Sequence, residues 1–284
     1  RGYLVVGLSA DYAPLEFHAT INGADTIVGA DISMSKQIAK DMGVKLQIKE
    51  MNFTALIGAL KTGKIDLIVS GMSKTPEREK EVNFSTPYLY ETQVMVIRKA
   101  DKAKYKSIAD FSGKRVGAQK QTTQEQLAKT QLPGAKVTSL DKANDVVAQI
   151  SYNKLDAGVL ASTIADSYVA RTPSLTVIDP HFATDKAPTA IAVSKQSPAL
   201  LKQVNKTISK VKGAKYKSYL QAAYKLQDQD QGFWAKYGNY FIRGAIYTLV
   251  FAVLTVLFGT IIGTLLALMK LSRNWLAKVV ANIY

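Results

Sequence analysis

One stretch near the C-terminus sets the strongest limit on what this chain can fold into. Residues 245–269 read AIYTLVFAVLTVLFGTIIGTLLALM and contain no charged side chain. About 20 apolar residues suffice for a helix to cross a bilayer. A core helix of this length in a globular protein would instead show a polar face. We therefore expect a transmembrane helix over residues 245–269.

The charges beyond this run predict its orientation. Lys270, Arg273 and Lys278 follow it, and no acidic residue lies after them. Basic residues next to a span favour the cytoplasmic side, so we expect a cell-membrane protein whose residues 1–232 are extracytoplasmic. The chain begins with Arg1 and not with Met, which we interpret as a piece of a longer precursor with an export signal.

Composition excludes several classes of protein and of site. The 284 residues carry 37 Lys and Arg against 22 Asp and Glu, a net charge of +15. Most of the cations are lysines spread along the chain without an Arg-rich run, so we expect no nucleic-acid partner. The absence of Cys excludes disulfides and thiolate zinc sites. With only His18 and His181, we expect no metal centre and no cofactor.

The rest of the chain falls into a long globular part and a short connection. Strand-like apolar runs alternate with helical patterns through residues 1–224, which predicts α/β architecture with mostly parallel sheets and helices on both faces. Residues 225–232, KLQDQDQG, are polar and lack apolar periodicity. We expect a linker there and the beginning of a membrane domain over residues 233–284.

An internal echo suggests that the globular part has two lobes. ALKTGKIDLIVSG at residues 59–71 resembles QISYNKLDAGVLA at residues 149–161, with Asp66 and Asp156 at matching places before an apolar strand. Chance similarity is an alternative at this length. Two lobes of similar plan would leave a crevice at the carboxyl ends of their strands, where ligands of α/β proteins bind.

Arg78 is the best candidate for an anion-binding residue. It lies in the first turn of a helix that Thr75 would cap and Pro76 would begin. Together with Ser73, its guanidinium could hold a planar carboxylate by paired hydrogen bonds. The alternative is a surface Arg paired with a neighbouring glutamate, such as Glu79.

A second helix start and two aromatic residues complete the candidate site. The segment from Thr122 to Glu125 fits a capping box, which would turn the amides of Thr122 and Thr123 toward the crevice. Tyr12 follows the first strand and Phe53 follows the second, so their rings could enclose the aliphatic part of a ligand. Taken singly, the capping box could be purely structural and the aromatics ordinary core.

These segments resemble a known family. SADYAPLEF, VGADISMSKQIAKDMG, IDLIVSGMSKTPEREKEVNFSTPY and VGAQKQTTQE are similar to the polar amino-acid-binding family of ABC-transporter substrate-binding proteins, of the type II periplasmic-binding-protein class. The similarity covers residues 1–224. GNYFIRGAIYTLVFAVLTVLFGTIIGTLLALMKLS resembles the opening of an amino-acid ABC permease subunit. Together they resemble the fused binding-protein and permease chains of Gram-positive bacteria.

The resemblance implies a binding and transport component, not an enzyme. Lobe I would comprise residues 1–93 and 190–224 and lobe II residues 94–189, with hinge strands near residues 94–98 and 190–193. A polar L-amino acid would close the lobes. The implied partners are the second permease subunit of a dimer and a cytoplasmic ATPase subunit.

The resemblance also implies a role for individual residues. Arg78 would grip the ligand carboxylate with amides near Ser73, Thr122 and Thr123, and the rings of Tyr12 and Phe53 would sandwich the ligand. A main-chain carbonyl at Ser70 or Gly71 would receive the ligand ammonium.

Two positions depart from the family pattern. Ala161 stands where the family usually has an acid that pairs with the ligand ammonium, and Ser9 stands where an acid often reads the ligand side chain. For Ala161, a nearby acid such as Asp11, Glu16 or Asp166 could compensate, the affinity could be weak, or the ligand could be other than a standard α-amino acid. Gln121 also replaces a frequent Gly. The identity of the ligand therefore stays open.

Two other functions stay open at this point. The binding module could belong to a membrane receptor and act as a sensor. It could also be a lyase or dehydratase on the same scaffold, which would need an acid–base group beside the ligand. Asp11, Glu16 and His18 are the candidates for that group.

Overall fold

The computed structural model describes residues 2–184, 186–228, 233–273 and 275–283. The chain divides into two compact units, the first reaching residue 229 and the second beginning at residue 230. The strands of the first unit are β1 (Tyr3–Leu8), β2 (Asp11–Tyr12), β3 (Glu16–Ile21), β4 (Ala24–Val28), β5 (Lys45–Glu50), β6 (Leu67–Ile68), β7 (Asn83–Phe84), β8 (Leu89–Glu91), β9 (Gln93–Arg98), β10 (Arg115–Gln119), β11 (Lys136–Leu140), β12 (Ala157–Ala161), β13 (Leu175–Ile178), β14 (Ala187–Thr189) and β15 (Ala192–Val193). Its helices are α1 (Ala30–Asp41), α2 (Leu56–Lys61), α3 (Pro76–Glu81), α4 (Thr123–Gln131), α5 (Ala143–Ser151), α6 (Ser162–Arg171), α7 (Pro198–Val211) and α8 (Ala214–Asp228).

Two five-stranded sheets form the two lobes. The first has the order β5-β1-β6-β15-β7 and the second the order β11-β10-β12-β9-β13. In each sheet three strands are parallel, as the alternating pattern predicts. They are β1, β5 and β6 in the first sheet and β10, β11 and β12 in the second. β15 and β9 run antiparallel to their neighbours, so the sheets are mixed, more so than the sequence predicted. The reason is that the chain crosses between the lobes and adds these strands in the opposite direction.

The passages between the lobes lie slightly before the predicted hinge strands. Residues 94–98 belong to β9, which pairs with β12 and β13 inside the second sheet, and residues 190–193 include β15 inside the first sheet. The two crossings meet instead in an antiparallel ribbon of β8 and β14, in which Glu91 faces Ala187. A strand paired along both sides is held by its sheet, whereas this two-stranded ribbon has only a short additional contact, an antiparallel bridge between Thr189 and Ser73 and a hydrogen bond from the N–H of Lys74 to the Pro188 carbonyl at 2.8 Å.

The internal repeat of the sequence corresponds to the same hydrogen-bonded arrangement in both lobes. Asp66 accepts the backbone N–H of Val5 on its Oδ2 at 2.9 Å, and its own N–H donates to the Val5 carbonyl. Asp156 does the same with Arg115, where the N···Oδ2 distance is also 2.9 Å. In both lobes a carboxylate therefore fixes the start of the first strand against the start of the third.

Glycines occupy matching positions in the two lobes for a matching reason. A Cβ on Gly7 would lie 2.4 Å from Ile65 Cδ1, and a Cβ on Gly117 would lie 2.5 Å from Leu155 Cδ1. Ile65 and Leu155 occupy equivalent positions just before Asp66 and Asp156. Each lobe thus packs an aliphatic side chain directly onto the backbone of its first strand.

Two elements extend differently from the sequence expectation. The apolar pattern of the sequence predicts the first helix over residues 33–42, but α1 starts three residues earlier, at Ala30, because Gly29 at φ 135° lets the chain turn there. Residues 225–228, expected in the linker, continue α8. Leu226 packs on a small apolar cluster, and buried Gln227 accepts a hydrogen bond from Ser167 Oγ at 2.8 Å. The rest of the expected linker, residues 229–232, lies outside the described residues.

The second unit contains a long apolar helix. α9 (Phe233–Leu271) is followed by α10 (Trp275–Ile283). The part of α9 from Gly238 to Leu271 has 34 residues, a mean hydropathy of 2.5 over its most apolar window, and no buried share there. At 1.5 Å per residue it is about 50 Å long, which exceeds the ~30 Å hydrocarbon core of a bilayer. The predicted span, residues 245–269, lies within it.

Candidate ligand-binding site

A narrow, nearly closed cavity of about 10 Å³ lies between the two lobes. Every residue predicted for the site lines it, except Ala161. Two further residues line it that the sequence analysis did not select, Gln119 and Gln124. The predicted residues that line it are Ser9, Asp11, Tyr12, Phe53, Ser70, Gly71, Ser73, Arg78, Thr122 and Thr123.

Arg78 connects the two lobes across this cavity. Its Nη1 donates to the Ser73 carbonyl at 2.6 Å, and its Nη2 donates to the Gln121 carbonyl at 2.7 Å. The guanidinium carbon lies 5.4 Å from the centre of the Phe53 ring, within cation–π distance. A guanidinium has five N–H donors, so two carbonyls orient the fork and leave donors for an anion.

The surface-pair alternative for Arg78 is not what the structure shows. Glu79 pairs with Lys74 at 2.9 Å, and Glu81 pairs with Lys61. Burial lowers the pKa of Arg78 from 12.5 to about 10, so the guanidinium keeps its charge at neutral pH. Glu79 and Glu81 therefore pair with lysines, and the guanidinium of Arg78 remains available in the cleft.

Local helix signals place Arg78 as the sequence predicted. Thr75 is the N-cap of α3, with its hydroxyl accepting the N–H of Arg78 at 3.3 Å, and Pro76 occupies the first turn. The cap fixes the backbone of the residue whose side chain reaches across the cleft. A short helix can hold a long side chain in place because its first turn is pinned.

The opposite lobe presents the capped start of α4. Thr122 Oγ1 accepts the N–H of Glu125 at 3.2 Å and donates to the Gln119 carbonyl at 2.6 Å. Glu125 Oε2 accepts the N–H of Gln121 at 2.7 Å, one residue before the position of an ideal capping box. Gln121 has φ 58°, a conformation that suits glycine best.

The floor of the cavity ties the ends of two strands together. Ser70 Oγ accepts the N–H of Ser9 at 3.0 Å and donates to Glu16 Oε1 at 2.8 Å. Gly71 has φ 52°, and a Cβ there would lie 2.8 Å from the ring of Tyr12. The tyrosine therefore packs directly on the main chain of Gly71.

A buried carboxyl pair supports this floor from behind. Asp31 accepts hydrogen bonds from the N–H of Gly71 at 3.0 Å and from the hydroxyls of Tyr88 and Tyr216 at 2.8 and 2.7 Å. Burial and, next, the charge of Asp31 raise the pKa of Glu16 well above its usual range. The other carboxyl oxygen of Glu16, Oε2, is buried and has no hydrogen-bond partner among the described residues.

Asp11 joins the lobes at the other end of the cavity. Its Oδ2 accepts the N–H of Ala143 at 2.7 Å and Gln119 Nε2 at 3.3 Å, both from lobe II. Its carbonyl accepts the hydroxyl of Tyr168 at 2.8 Å. Burial, the largest effect, raises the pKa of Asp11 despite these donors. Asp11 is thus a lobe-to-lobe contact as well as a cavity wall.

Ala161 and the other candidate acids lie elsewhere. Ala161 ends β12 and is 2% exposed, packed among apolar side chains instead of lining the cavity. Asp166 is exposed on α6. His18 sits on the surface between Asp25 and Glu50, at 3.1 Å from each. Of the three acid–base candidates Asp11, Glu16 and His18, Asp11 lines the cavity and the other two do not.

A polar patch formed by Glu91 and Gln93, which was not predicted from the sequence, lies next to Ala161. Glu91 is 3% exposed, and its Oε1 accepts the N–H of Thr163 at 3.2 Å. Gln93 Oε1 accepts Gln124 Nε2 at 2.7 Å. Polar side chains that begin a strand otherwise buried along its length could have signalled this patch, since Gln93 opens β9. Within the described ranges, no group of His, Cys, Asp and Glu could hold a metal ion.

Known proteins share this fold and sequence pattern. Residues 4–224 match the family described as bacterial extracellular solute-binding proteins, family 3. The chain is 35% identical over 211 residues to the arginine-binding extracellular protein ArtP of Bacillus subtilis, covering 73% of this chain and 80% of that protein. It is also 35% identical to the ABC transporter arginine-binding protein 1 of Escherichia coli, covering 72% and 84%.

A solved structure is similar over the same part of the chain. The amino acid ABC transporter substrate-binding protein AbpA of Streptococcus pneumoniae, bound to L-arginine, has a TM-score of 0.77 and 36% identity. The alignment covers 79% of this chain and 95% of that one. The predicted two-lobed α/β fold of type II periplasmic binding proteins is thereby confirmed. The chain belongs to family 3 of the bacterial extracellular solute-binding proteins, and it is a binding protein, not an enzyme.

Proposed function

We propose that residues 1–224 bind an L-amino acid with a cationic side chain, of the arginine type, and deliver it to a membrane permease. Residues 1–93 and 190–224 would act as one lobe and residues 94–189 as the other. The permease would begin in residues 233–284 and pair with a second permease subunit, and a separate cytoplasmic ATPase subunit would drive import.

The position of Arg78 is the observation that carries this proposal. Its guanidinium lies in a closed cleft, oriented by one main-chain carbonyl from each lobe. The planar fork matches a carboxylate by two parallel hydrogen bonds. The hydroxyl of Ser73 and the capped start of α4 at Thr122 line the same cavity. A ligand with a free carboxylate would therefore contact both lobes at once.

The rest of the cavity suits an aliphatic chain that ends in a cation. Tyr12 and Phe53 offer ring faces for the aliphatic part, and Asp11 lines the cavity as a buried acid. The comparisons support a cationic ligand, since two relatives are named as arginine-binding and a similar structure contains L-arginine. Ser9 adds no acid, so Asp11 would read the ligand side chain in its place.

Closure of the two lobes is the change by which the transporter would recognise that a ligand is bound. Ligand contacts to both lobes favour the closed form only to the extent that they are stronger there than in the open form. The ribbon of β8 and β14 is where we expect the lobes to rotate. The apolar part of α9 would anchor this module at the outer face of the cell membrane.

Titration calorimetry on the full chain in detergent tests the carboxylate contact. Arg78→Ala should weaken L-arginine binding by several kcal/mol, because a buried carboxylate loses its charge-assisted partner. Arg78→Lys should recover only part of the affinity, since an ammonium keeps the charge but lacks the fork.

The matched control is Lys80→Ala on the same helix. Lys80 is exposed, so this variant should bind L-arginine like the parent. Unchanged affinity in Arg78→Ala would remove Arg78 from the site. A parent chain that binds no amino acid would contradict the proposed function itself.

A further inference from the structure

We propose that a groove beside the ribbon of β8 and β14 binds a small anion, either a phosphate or a carboxylate with a short aliphatic chain. The groove has a volume of about 380 Å³, within the range of small-molecule sites. It is a separate space from the cavity assigned to the amino acid, although Ser73 and Thr123 line both. Its position, an unused donor in its wall and its charges all point to such a ligand.

The groove lies where the two lobes and the ribbon meet. Its lining comes from three places: the start of α3 with Lys74 and Pro76, α4 with Leu127, and β14 with Pro188. The N–H of Lys74 donates to the Pro188 carbonyl at 2.8 Å, which ties the first lobe to the ribbon. A molecule held in the groove would therefore contact both lobes next to the segment at which we expect them to rotate.

A buried amide in the wall of the groove has an unused donor. Gln93 lines the groove and is 5% exposed. Its Oε1 accepts Gln124 Nε2 at 2.7 Å, and Gln124 lines the amino-acid cavity. Gln93 Nε2 has no hydrogen-bond partner in the described parts of the chain. A buried donor without an acceptor is unfavourable, so an acceptor supplied by a molecule in the groove would remove that cost.

The charges around the groove favour an anion as this acceptor. Lys74 and Lys186 both line it, and no acidic side chain does so in the part of the chain that the structure describes. Lys74 Nζ pairs with Glu79 at 2.9 Å, but an ammonium has three N–H donors. Phosphate and carboxylate oxygens accept charge-assisted hydrogen bonds from such groups.

The remaining lining suits a short aliphatic chain. Leu127 and Pro188 are half-buried, and Ala187 precedes Pro188 on the same strand. A short-chain carboxylate could therefore place its head at Gln93 and the lysines and its chain on these side chains. A phosphate would use the polar end alone.

Occupancy of the groove would also change the affinity for the amino acid, a consequence that rests on the proposed function. The amino-acid cavity is nearly closed in the structure, so the groove has the shape that the closed lobes give it. An anion that binds this form more tightly than the open one shifts the lobes toward closure. Because such coupling is reciprocal, L-arginine and the anion should strengthen each other's binding by the same factor.

Ligand-observed NMR on the full chain in a neutral detergent measures anion binding directly. Inorganic phosphate and butyrate are the probes, each titrated at constant ionic strength against a chloride background. At least one of them should bind saturably without an amino acid, and L-arginine should raise its affinity by about fivefold or more. Binding of phosphate alone would identify a phosphate site, and binding of butyrate alone a carboxylate site. No saturable binding of either probe would overturn the proposal.

Two variants locate the probe in the groove. Gln93→Glu keeps an acceptor for Gln124 Nε2 but replaces the unused donor by an anionic oxygen, so the probe affinity should fall about tenfold or more. Lys74→Gln combined with Lys186→Gln should cause a similar loss, and it decides the question if Gln93→Glu does not fold. Lys80→Gln, exposed on α3 and outside the groove, is the matched control and should bind the probe like the parent.

The outcomes separate the groove from the amino-acid cavity. Displacement of the probe by L-arginine would place the probe at Arg78 and overturn the proposal. Unchanged probe affinity in Gln93→Glu and in the double lysine variant would also overturn it. Equal probe affinity with and without L-arginine would overturn the coupling. If the parent binds no amino acid but binds the probe in a Gln93-dependent way, the proposed function fails and the groove site stands.

Discussion

Four carboxyl side chains, from Asp11, Glu16, Asp31 and Glu91, are buried in the globular unit. Burial is the largest cause in each case, and it raises the pKa of all four above their ordinary values. A protein that keeps several acids partly protonated in its interior gains stability when the pH falls. Most proteins lose stability there, because their paired carboxylates become protonated.

We predict that Glu91 contributes measurably to this pH dependence. Its pKa is about 7 in the folded chain against 4.5 ordinarily, so the folded state binds the extra proton between those values. The free energy of unfolding should therefore fall as the pH rises from about 4.5 to about 7. Glu91→Gln should remove up to about 3 kcal/mol of that fall.

Calorimetric unfolding at pH 5 and pH 8, without added ligand, measures this difference. The remaining slope in Glu91→Gln should come from Asp11, Glu16 and Asp31, whose shifts have the same sign. An identical slope in the parent and in Glu91→Gln would contradict the shifted pKa of Glu91.

Single residues differ in how far the sequence could place them. Arg78 was predictable because Thr75 and Pro76 announce a helix start within three positions, and its motif matches a family pattern. Glu91 was not, because the N–H that it accepts belongs to Thr163, 72 positions away. Only the folded chain brings that carboxylate to the start of α6.

At the scale of elements, the two lobes repeat one construction. A carboxylate, Asp66 or Asp156, anchors the first strand of each parallel trio, and a glycine on that strand admits an aliphatic side chain. The repeat was readable because the anchoring Asp stands at a fixed distance from its own strand. The ribbon that joins the lobes was not predictable from local pattern, because pairing between β8 and β14 joins segments almost 100 positions apart.

We predict that Asp156, the anchor of lobe II, stabilises the folded chain at neutral pH and that this stabilisation is lost in acid. Asp156 accepts the backbone N–H of Arg115 and two further bonds from its guanidinium, at 3.1 and 2.8 Å. These bonds, with Arg98 nearby, lower the pKa of Asp156 to about 2. Asp156→Asn should lower the free energy of unfolding at pH 7 by about 2 kcal/mol.

The difference should shrink as the pH falls from about 4 toward 2, because the carboxyl of Asp156 is then protonated in the folded parent as well. Asp145→Asn, at an exposed position on α5, is the matched control and should change little. A loss in Asp156→Asn that stays constant down to pH 2 would point to packing rather than charge.

At the scale of the whole molecule, the sequence located the apolar helix and the globular part but misjudged their junction. Hydropathy alone marks α9, because no folded partner is needed to see it. The polar residues 225–228 looked like a linker, yet Gln227 is buried against Ser167, 60 positions away. A polar side chain satisfied by a distant partner cannot be told from a solvated one by local pattern.

We predict that α9 crosses the membrane with its C-terminal end in the cytoplasm. The chain has no Cys, so single cysteines can be placed without background. Ser218→Cys on α8 should react with an impermeant maleimide in intact cells, whereas Ser272→Cys should react only after permeabilisation. Reaction of both in intact cells would show that the helix does not span the bilayer.

The bonds that Arg78 and Asp11 make from lobe to lobe have a consequence for energy coupling. Main-chain groups of the partner lobe already satisfy part of both side chains, so the shut arrangement has attractions of its own. The contacts of an arriving amino acid therefore add to attractions that the lobes already make without it. A transporter that takes its ligand from this module must distinguish a module closed around a ligand from one that closes empty.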